Sequence, residues 1–362
     1  MKFLSRWRFT IAAVAGVFLA QTASAGSRPG DLVCLPFARG ENIFTSRKSP
    51  DGHVDFCVQQ GPSGIPKVIL HGKDVPLDDQ NPITDFSVSD DGRLCAYFVK
   101  QPDSRYESIQ IIDTNTGRRL SDVVMWTHFG DFGWNGSGFY YGGYRKPRQN
   151  ESGYSDERVL YHRLGHPQDQ DQVVYEDTAH PKRKYLFLAT YDHRFLLLHI
   201  LEHVDGKAVG SEWFRREGYV RAAFKPLQGT LAPGRFFLCD NAGDHLILFT
   251  QYKSPQGRII DVDTRHPEEA NWKEFAAGPI LDAESVLGKI VVVKARATGG
   301  TFATIVSLGG KVEKVIPTED GSAVDIQSCN RRERYIFVST EKAGTKRFFQ
   351  YDYAANRLSA FN

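Results

Sequence analysis

The spacing most suggestive of metal chemistry in this 362-residue sequence is His199-Ile200-Leu201-Glu202-His203. An H-x-x-E-H run binds zinc when it lies on a helix, because residues four apart then stand one turn above each other. Here it is embedded in RFLLLHILEHV (194–204), whose composition predicts a strand. Along a strand the two imidazoles would lie about 13 Å apart, too far to share one zinc at about 2 Å. They are read as strand histidines, and no metal is expected. Serine chemistry is no better supported. An exposed nucleophile elbow needs G-x-S-x-G, and no serine here has glycine at both −2 and +2. GPSGI (61–65) and NGSGF (135–139) fail the spacing and read as hairpin turns. Without an activated nucleophile, the many Asp and His residues do not make a triad. Asp90-Asp91 and Glu268-Glu269 fall in predicted turns, where carboxylates accept backbone hydrogen bonds. Lys182-Arg183-Lys184 and Arg331-Arg332 are short, loop-borne clusters that read as solvated surface. No glycine-rich phosphate loop follows a strand and opens a helix, so no nucleotide or other cofactor is expected.

The cysteines number five (34, 57, 95, 239 and 329), with wide spacings and no C-x-x-C. They read as buried small hydrophobes. Cys34 and Cys57 are close enough in sequence to bridge neighbouring strands, so a disulfide between them stays open. The compartment bears on that question. Residues 1–25 carry a basic start (Lys2, Arg6, Arg8), an apolar run from Phe9 to Ala20, and the small-residue pattern Ala23-Ser24-Ala25. These are the three parts of an export signal, and the apolar run is well short of the ~20 residues that span a bilayer. A mature chain of 26–362 in the periplasm or outside the cell is expected, with no membrane span. The formal charge is +2, and loss of the three basic residues brings it close to neutrality. That balance gives no reason to expect nucleic acid as a partner.

The elements that would position any site are strands. Short apolar or alternating runs broken by turn residues dominate, which predicts an all-β protein. A unit recurs: a short strand, a polar turn, a strongly β-forming strand, a second turn, a further strand. Marking each copy by the first residue of its second strand gives Ile43, Leu94, Phe139, Phe195, Leu246, Ile290 and Tyr335. The steps are 51, 45, 56, 51, 44 and 45 residues. A period near 50 residues built from four short strands predicts a seven-bladed β-propeller with four antiparallel strands per blade. DLVCLPFA (31–38) reads as an innermost strand and RLSAF (357–361) as an outermost one. No strand is then left over to complete the first blade from the other terminus. The first and last blades are expected to meet by packing alone, without an interlocked strand.

The second and third blades resemble the propeller of the prolyl oligopeptidase family. The matching text is SDDGRLCAYFV, SIQIIDTNTGRRL, WTHFGDFGWNGSGFYYGGYRKP and LYHRLGHPQDQDQVVYED, and RIIDVDTRHPEEANWKEF (258–275) resembles that family's fifth blade. The family's whole enzyme pairs such a propeller with an α/β-hydrolase bearing Ser, Asp and His. The hydrolase segments have no counterpart in this sequence. The resemblance therefore implies an exported, non-catalytic propeller that binds a peptide or a protein. The alternative is the gating part of a serine-type peptidase whose hydrolase is a separate chain or lost. An aromatic near Phe139-Tyr140-Tyr141 helps line the family's substrate pocket, and Tyr140 is the nearest match. The residues alone read Tyr140 as strand packing.

Overall fold

A computed structural model describes residues 30–33, 35–74, 83–101, 104, 106–145, 156–218, 222–327 and 335–361. The signal-peptide reading of 1–25 lies outside these residues. The described chain is built almost wholly of antiparallel strands. The first sheet holds β1 (Phe37–Arg39), β2 (Asn42–Lys48), β3 (Val54–Gln60) and β4 (Lys67–Leu70). A seven-stranded sheet follows, with β5 (Ile83–Val88), β6 (Leu94–Lys100), β7 (Glu107–Asp113), β8 (Arg119–Asn135), β9 (Gly138–Gly143), β10 (Arg158–Arg163) and β11 (Gln172–Glu176). The next two sheets are β12 (Lys184–Ala189), β13 (Phe195–Val204), β14 (Lys207–Arg216), β15 (Lys225–Ala232), and β16 (Phe236–Ala242), β17 (His245–Thr250), β18 (Arg258–Asp263), β19 (Lys273–Ala277). The last two are β20 (Ile280–Val286), β21 (Lys289–Ala295), β22 (Thr301–Val306), β23 (Val312–Val315), and β24 (Ala323–Gln327), β25 (Ile336–Lys342), β26 (Thr345–Asp352), β27 (Arg357–Ala360).

The seven-stranded sheet is two four-stranded units that share one long strand. The first part of β8 pairs with β7, through Arg119, Val123, Val124 and Thr127. Its last part pairs with β9, through Phe132, Gly133, Trp134 and Asn135. Between them, from Thr127 to Phe132, the register shifts, and just before Thr127, where the pairing with β7 is itself irregular, Trp126 takes a left-handed φ of +54°. A tryptophan rarely sits there. The strand is outermost in one unit and innermost in the next. Counted this way the architecture is the seven-bladed β-propeller with four strands per blade that the sequence predicts. The seven marked positions open the second strand of each blade to within one residue, with β25 starting at Ile336 rather than Tyr335. DLVCLPFA is less of a strand than expected. Only Phe37–Arg39 pairs continuously with β2, while Leu32 makes an isolated bridge to Arg47.

The described residues fall into two compact units. One spans 72–234. In it the two halves of the seven-stranded sheet enclose Phe98, Ile109, Val124, Phe132, Phe139 and Tyr141. Strands β9 and β10 pack on β12 and β13 through Tyr140, Val159, Tyr185, Leu196, Leu198 and Ile200. The alternating pattern of these strands sends one face to each cluster. The other unit combines the described residues up to 71 with 235–361. Its sheets pack through Ile247, Ile259, Ile290 and Val292, and through Val291, Ile305, Ile336 and Val338. The first and last blades meet here around Leu35, Ala38, Ile43, Phe337 and Phe361. The first sheet takes all its strands from 37–70 and the last from 323–360, so among the described residues neither lends the other a strand.

One turn design recurs and fixes several hairpins. Ser89 Oγ donates to Asp91 Oδ1 (2.6 Å), and Arg93 and Leu94 donate their backbone N–H to Asp91 and Ser89. Thr190 and Asp192 repeat the pattern before Phe195, and Ser49 and Asp51 repeat it before His53. A hydroxyl and a carboxylate two residues apart thus satisfy the turn's own amides. The fourth position is left-handed each time: Gly52, Gly92 and, in the third turn, His193 at φ +55°. Histidine tolerates that region better than a β-branched residue would.

Candidate binding face

Hydrogen bonds gather three turns of the 72–234 unit at one end. His193 Nε2 lies 3.0 Å from Asp90 Oδ2, joining the β12–β13 turn to the β5–β6 turn. The Glu217 backbone N–H donates to Arg194 O (2.7 Å), bringing the residue after β14 to the same place. The β8–β9 turn joins through Asn135, whose Nδ2 donates to Glu217 Oε2 (3.5 Å) as well as to the Tyr140 hydroxyl of its own hairpin (3.0 Å). That end carries Asp90, Asp91, Asp192 and Glu217 beside Arg93, Arg194, Arg215 and His193.

Tyr140 is the sequence-derived candidate, and the structure puts its two ends in different surroundings. The ring is 3% exposed and packs on Tyr161 (centroids 5.0 Å apart) and Phe187 (6.4 Å). The hydroxyl reaches the polar end and donates to Glu217 Oε2. Arg215 Nε donates to the other oxygen, Glu217 Oε1 (2.7 Å). Burial first, then the hydrogen bond and charge of Glu217, push the Tyr140 phenol far above its ordinary value. It is therefore a neutral donor at any physiological pH, unsuited to act as a base or nucleophile. Chemically the cluster can hold a carboxylate and a guanidinium in fixed positions at the rim of a packed core. Glu217 and Arg215 were missed in the sequence because they lie more than 70 residues from Tyr140 and only the fold unites them.

The other candidates are dispersed. His199 lies within β13, as predicted, with Nδ1 2.8 Å from Glu212 Oε2 on the neighbouring strand. Glu202 accepts instead from Arg183 Nε (2.8 Å), and His203 is exposed. Arg183 also pairs with Asp177, and Lys184 with Glu157, while Arg331-Arg332 lies outside the described residues. Glu269 pairs with Lys253 and Glu268 accepts from Asn271. Among the described residues no group of three or more His, Cys, Asp or Glu could hold a metal ion. Cys57 is buried in β3 opposite Thr45, and its suggested disulfide partner Cys34 lies outside the described residues. Among the described residues no helix is long and apolar enough to cross a membrane.

A family model for the prolyl oligopeptidase N-terminal beta-propeller domain matches residues 29–361. The chain belongs to this family. Among curated relatives, a prolyl endopeptidase of Elizabethkingia meningoseptica is 24% identical over 249 residues, covering 68% of this chain and 35% of its own. Prolyl oligopeptidase A of Galerina marginata is 26% identical over 223 residues, covering 52% of this chain and 29% of its own. A solved prolyl endopeptidase superposes with a TM-score of 0.79 at 19% identity, over 91% of this chain and 48% of that one. Prolyl oligopeptidase B of Galerina marginata, bound to a 35-residue hydrolysis and macrocyclization substrate, also gives 0.79, at 17% identity over 99% and 52%. At those identities the superpositions speak for the fold. The chain spans about a third of the length of the curated relatives and about half of the solved ones.

Proposed function

We propose that this chain is a non-catalytic propeller of the prolyl oligopeptidase family that binds a peptide or a protein partner through its end loops, after export to the periplasm or the outside of the cell. The observation that carries the reading is that the family's propeller model accounts for 29–361, while no serine in the sequence stands on a nucleophile elbow. The binding half rests on general logic. Loops on a rigid scaffold carry recognition, and the end built around Glu217 and Arg215 offers both charges in fixed positions. In this reading Tyr140 contributes by holding Glu217 in place at the rim. Export rests on the composition of residues 1–25.

The second reading is the gating part of a serine-type prolyl oligopeptidase, working with a hydrolase. It is favoured by coverage: this chain matches about half of solved relatives, one of which is bound to a 35-residue substrate. A thermal-shift titration separates the two. A panel of short proline-containing peptides raises the melting temperature if the end binds peptide. Ligand at a hundred times Kd stabilises by about 2.7 kcal/mol. No shift with peptides, but one with a purified α/β-hydrolase, supports gating. No shift with either defeats the peptide-binding and gating readings and leaves a protein partner as the remaining form of the first.

A further inference from the structure

A second polar cluster, separate from the Tyr140 end network, is buried where β10 and β11 meet β8. His162 Nδ1 lies 2.8 Å from Asp171 Oδ1, and Nε2 lies 3.2 Å from Asp122 Oδ1. The three side chains are 1%, 3% and 3% exposed. A neutral imidazole has one N–H and one lone pair. Either tautomer would therefore aim a lone pair at a carboxylate oxygen. Only the doubly protonated ring donates to both aspartates. The aspartates are held as well: the outer oxygen of Asp171, Oδ2, accepts from the Tyr141 hydroxyl (2.7 Å), and Asp122 Oδ1, the oxygen that faces His162, also accepts from the Gly165 backbone N–H (2.5 Å). The loop is fastened a second time by Gln168, whose side chain bonds both the N–H (2.9 Å) and the carbonyl (3.0 Å) of Met125 in β8.

We propose that His162 is an imidazolium clasp that fastens the 164–171 loop to strand β8, and that losing its proton as pH rises loosens this loop. The clasp ties the outer strand of one blade to the outer edge of the next. The groups facing the ring are Asp122 from β8, Asp171 at the head of β11, and the Phe139 ring from β9 (centroids 5.1 Å apart). Tyr141 of β9 stands behind Asp171, and the charge of Arg158 on β10 acts on Tyr141. Burial pulls the His162 pKa down. The hydrogen bond and charge of Asp171, then those of Asp122, outweigh it and hold the pKa above its ordinary 6.5. The sign follows from linkage. The clasp's contribution is complete below about 6.5, the unfolded value, and fades as pH rises through the higher folded value.

The test is a histidine Cε1–H NMR titration of the full chain, with the His162 signal assigned by its loss in His162→Gln. The expected midpoint lies above 6.5, and the Gly165 amide shift moves with the same midpoint. Asp171→Asn, nearly isosteric, lowers the midpoint and keeps the test open should the glutamine variant fail to fold; the signal is then assigned by its through-space contact with the Phe139 ring, 5.1 Å away. Hydrogen exchange in 164–171, corrected for its intrinsic pH dependence, speeds up above the midpoint. A midpoint at or below 6.5, an Asp171→Asn variant that leaves it unmoved, or loop exchange indifferent to the titration overturns the proposal.

Discussion

Truncating Phe361 tests how the first and last blades are held. Phe361 is 5% exposed, its backbone N–H donates to Phe348 O (3.0 Å), and its ring meets Phe337 edge-on at 5.1 Å. Phe337 in turn packs with Leu35, Ala38 and Ile43 of the first blade. Among the described residues the two blades share no strand, and this cluster joins them. A buried Phe→Ala change costs about 3–5 kcal/mol. Phe361 follows the last strand, where neighbours can relax, so about 3 kcal/mol is the working figure. At 1.4 kcal/mol per tenfold, that is roughly a hundredfold rise in the population of the opened state. Hydrogen exchange followed by mass spectrometry reads it directly. Phe361→Ala lowers protection in β1, β2 and β25 by about a hundredfold while β6 and β7 keep theirs, and Phe361→Leu recovers most of the loss. Fraying of β27 with β2 unchanged would refute the reasoning, as would equal loss in every sheet.

Three further outcomes are expected. Asp282 lies on the innermost strand β20, where burial and then the charge of Asp325 push its carboxyl up to about 7 against the Ala283 N–H bond. The native state then holds this proton more tightly than the unfolded chain, so stability falls as pH rises from about 4 to 7; Asp282→Asn flattens that slope in urea melts and is the more stable protein at pH 8. Cys57, Cys95 and Cys239 are buried, with burial raising each thiol, so none reacts with a thiol reagent until the chain unfolds. Tyr140→Phe removes the donor to Glu217 without disturbing the ring's packing, and chemical denaturation registers a loss of about 1–2 kcal/mol.

Much of the fold is visible in the sequence because each blade repeats the same local physics. Runs such as FLLLHI and KIVVVKA are β-forming, and polar turns separate them in a unit that repeats about every 50 residues. What is hidden is what depends on distant partners. In WTHFGDFGWN nothing shows that one strand crosses between blades, nor that Trp126 takes a left-handed conformation that no propensity rule selects. Tyr140 is visible as an aromatic, but alternation in FYYGG cannot say that its hydroxyl meets a carboxylate 77 residues away. His162 is equally silent in LYHRLGHP, because one of its two aspartates is 40 residues distant. The H-x-x-E-H run shows the reverse. There the local rule sufficed, since β composition alone separates the two histidines.

The most direct measurement is turnover. The purified chain is incubated with a chromogenic prolyl peptide and, separately, with a serine-directed fluorophosphonate. The account predicts no hydrolysis and no covalent label. Hydrolysis that co-purifies with the chain through successive columns and is abolished by the fluorophosphonate would contradict it.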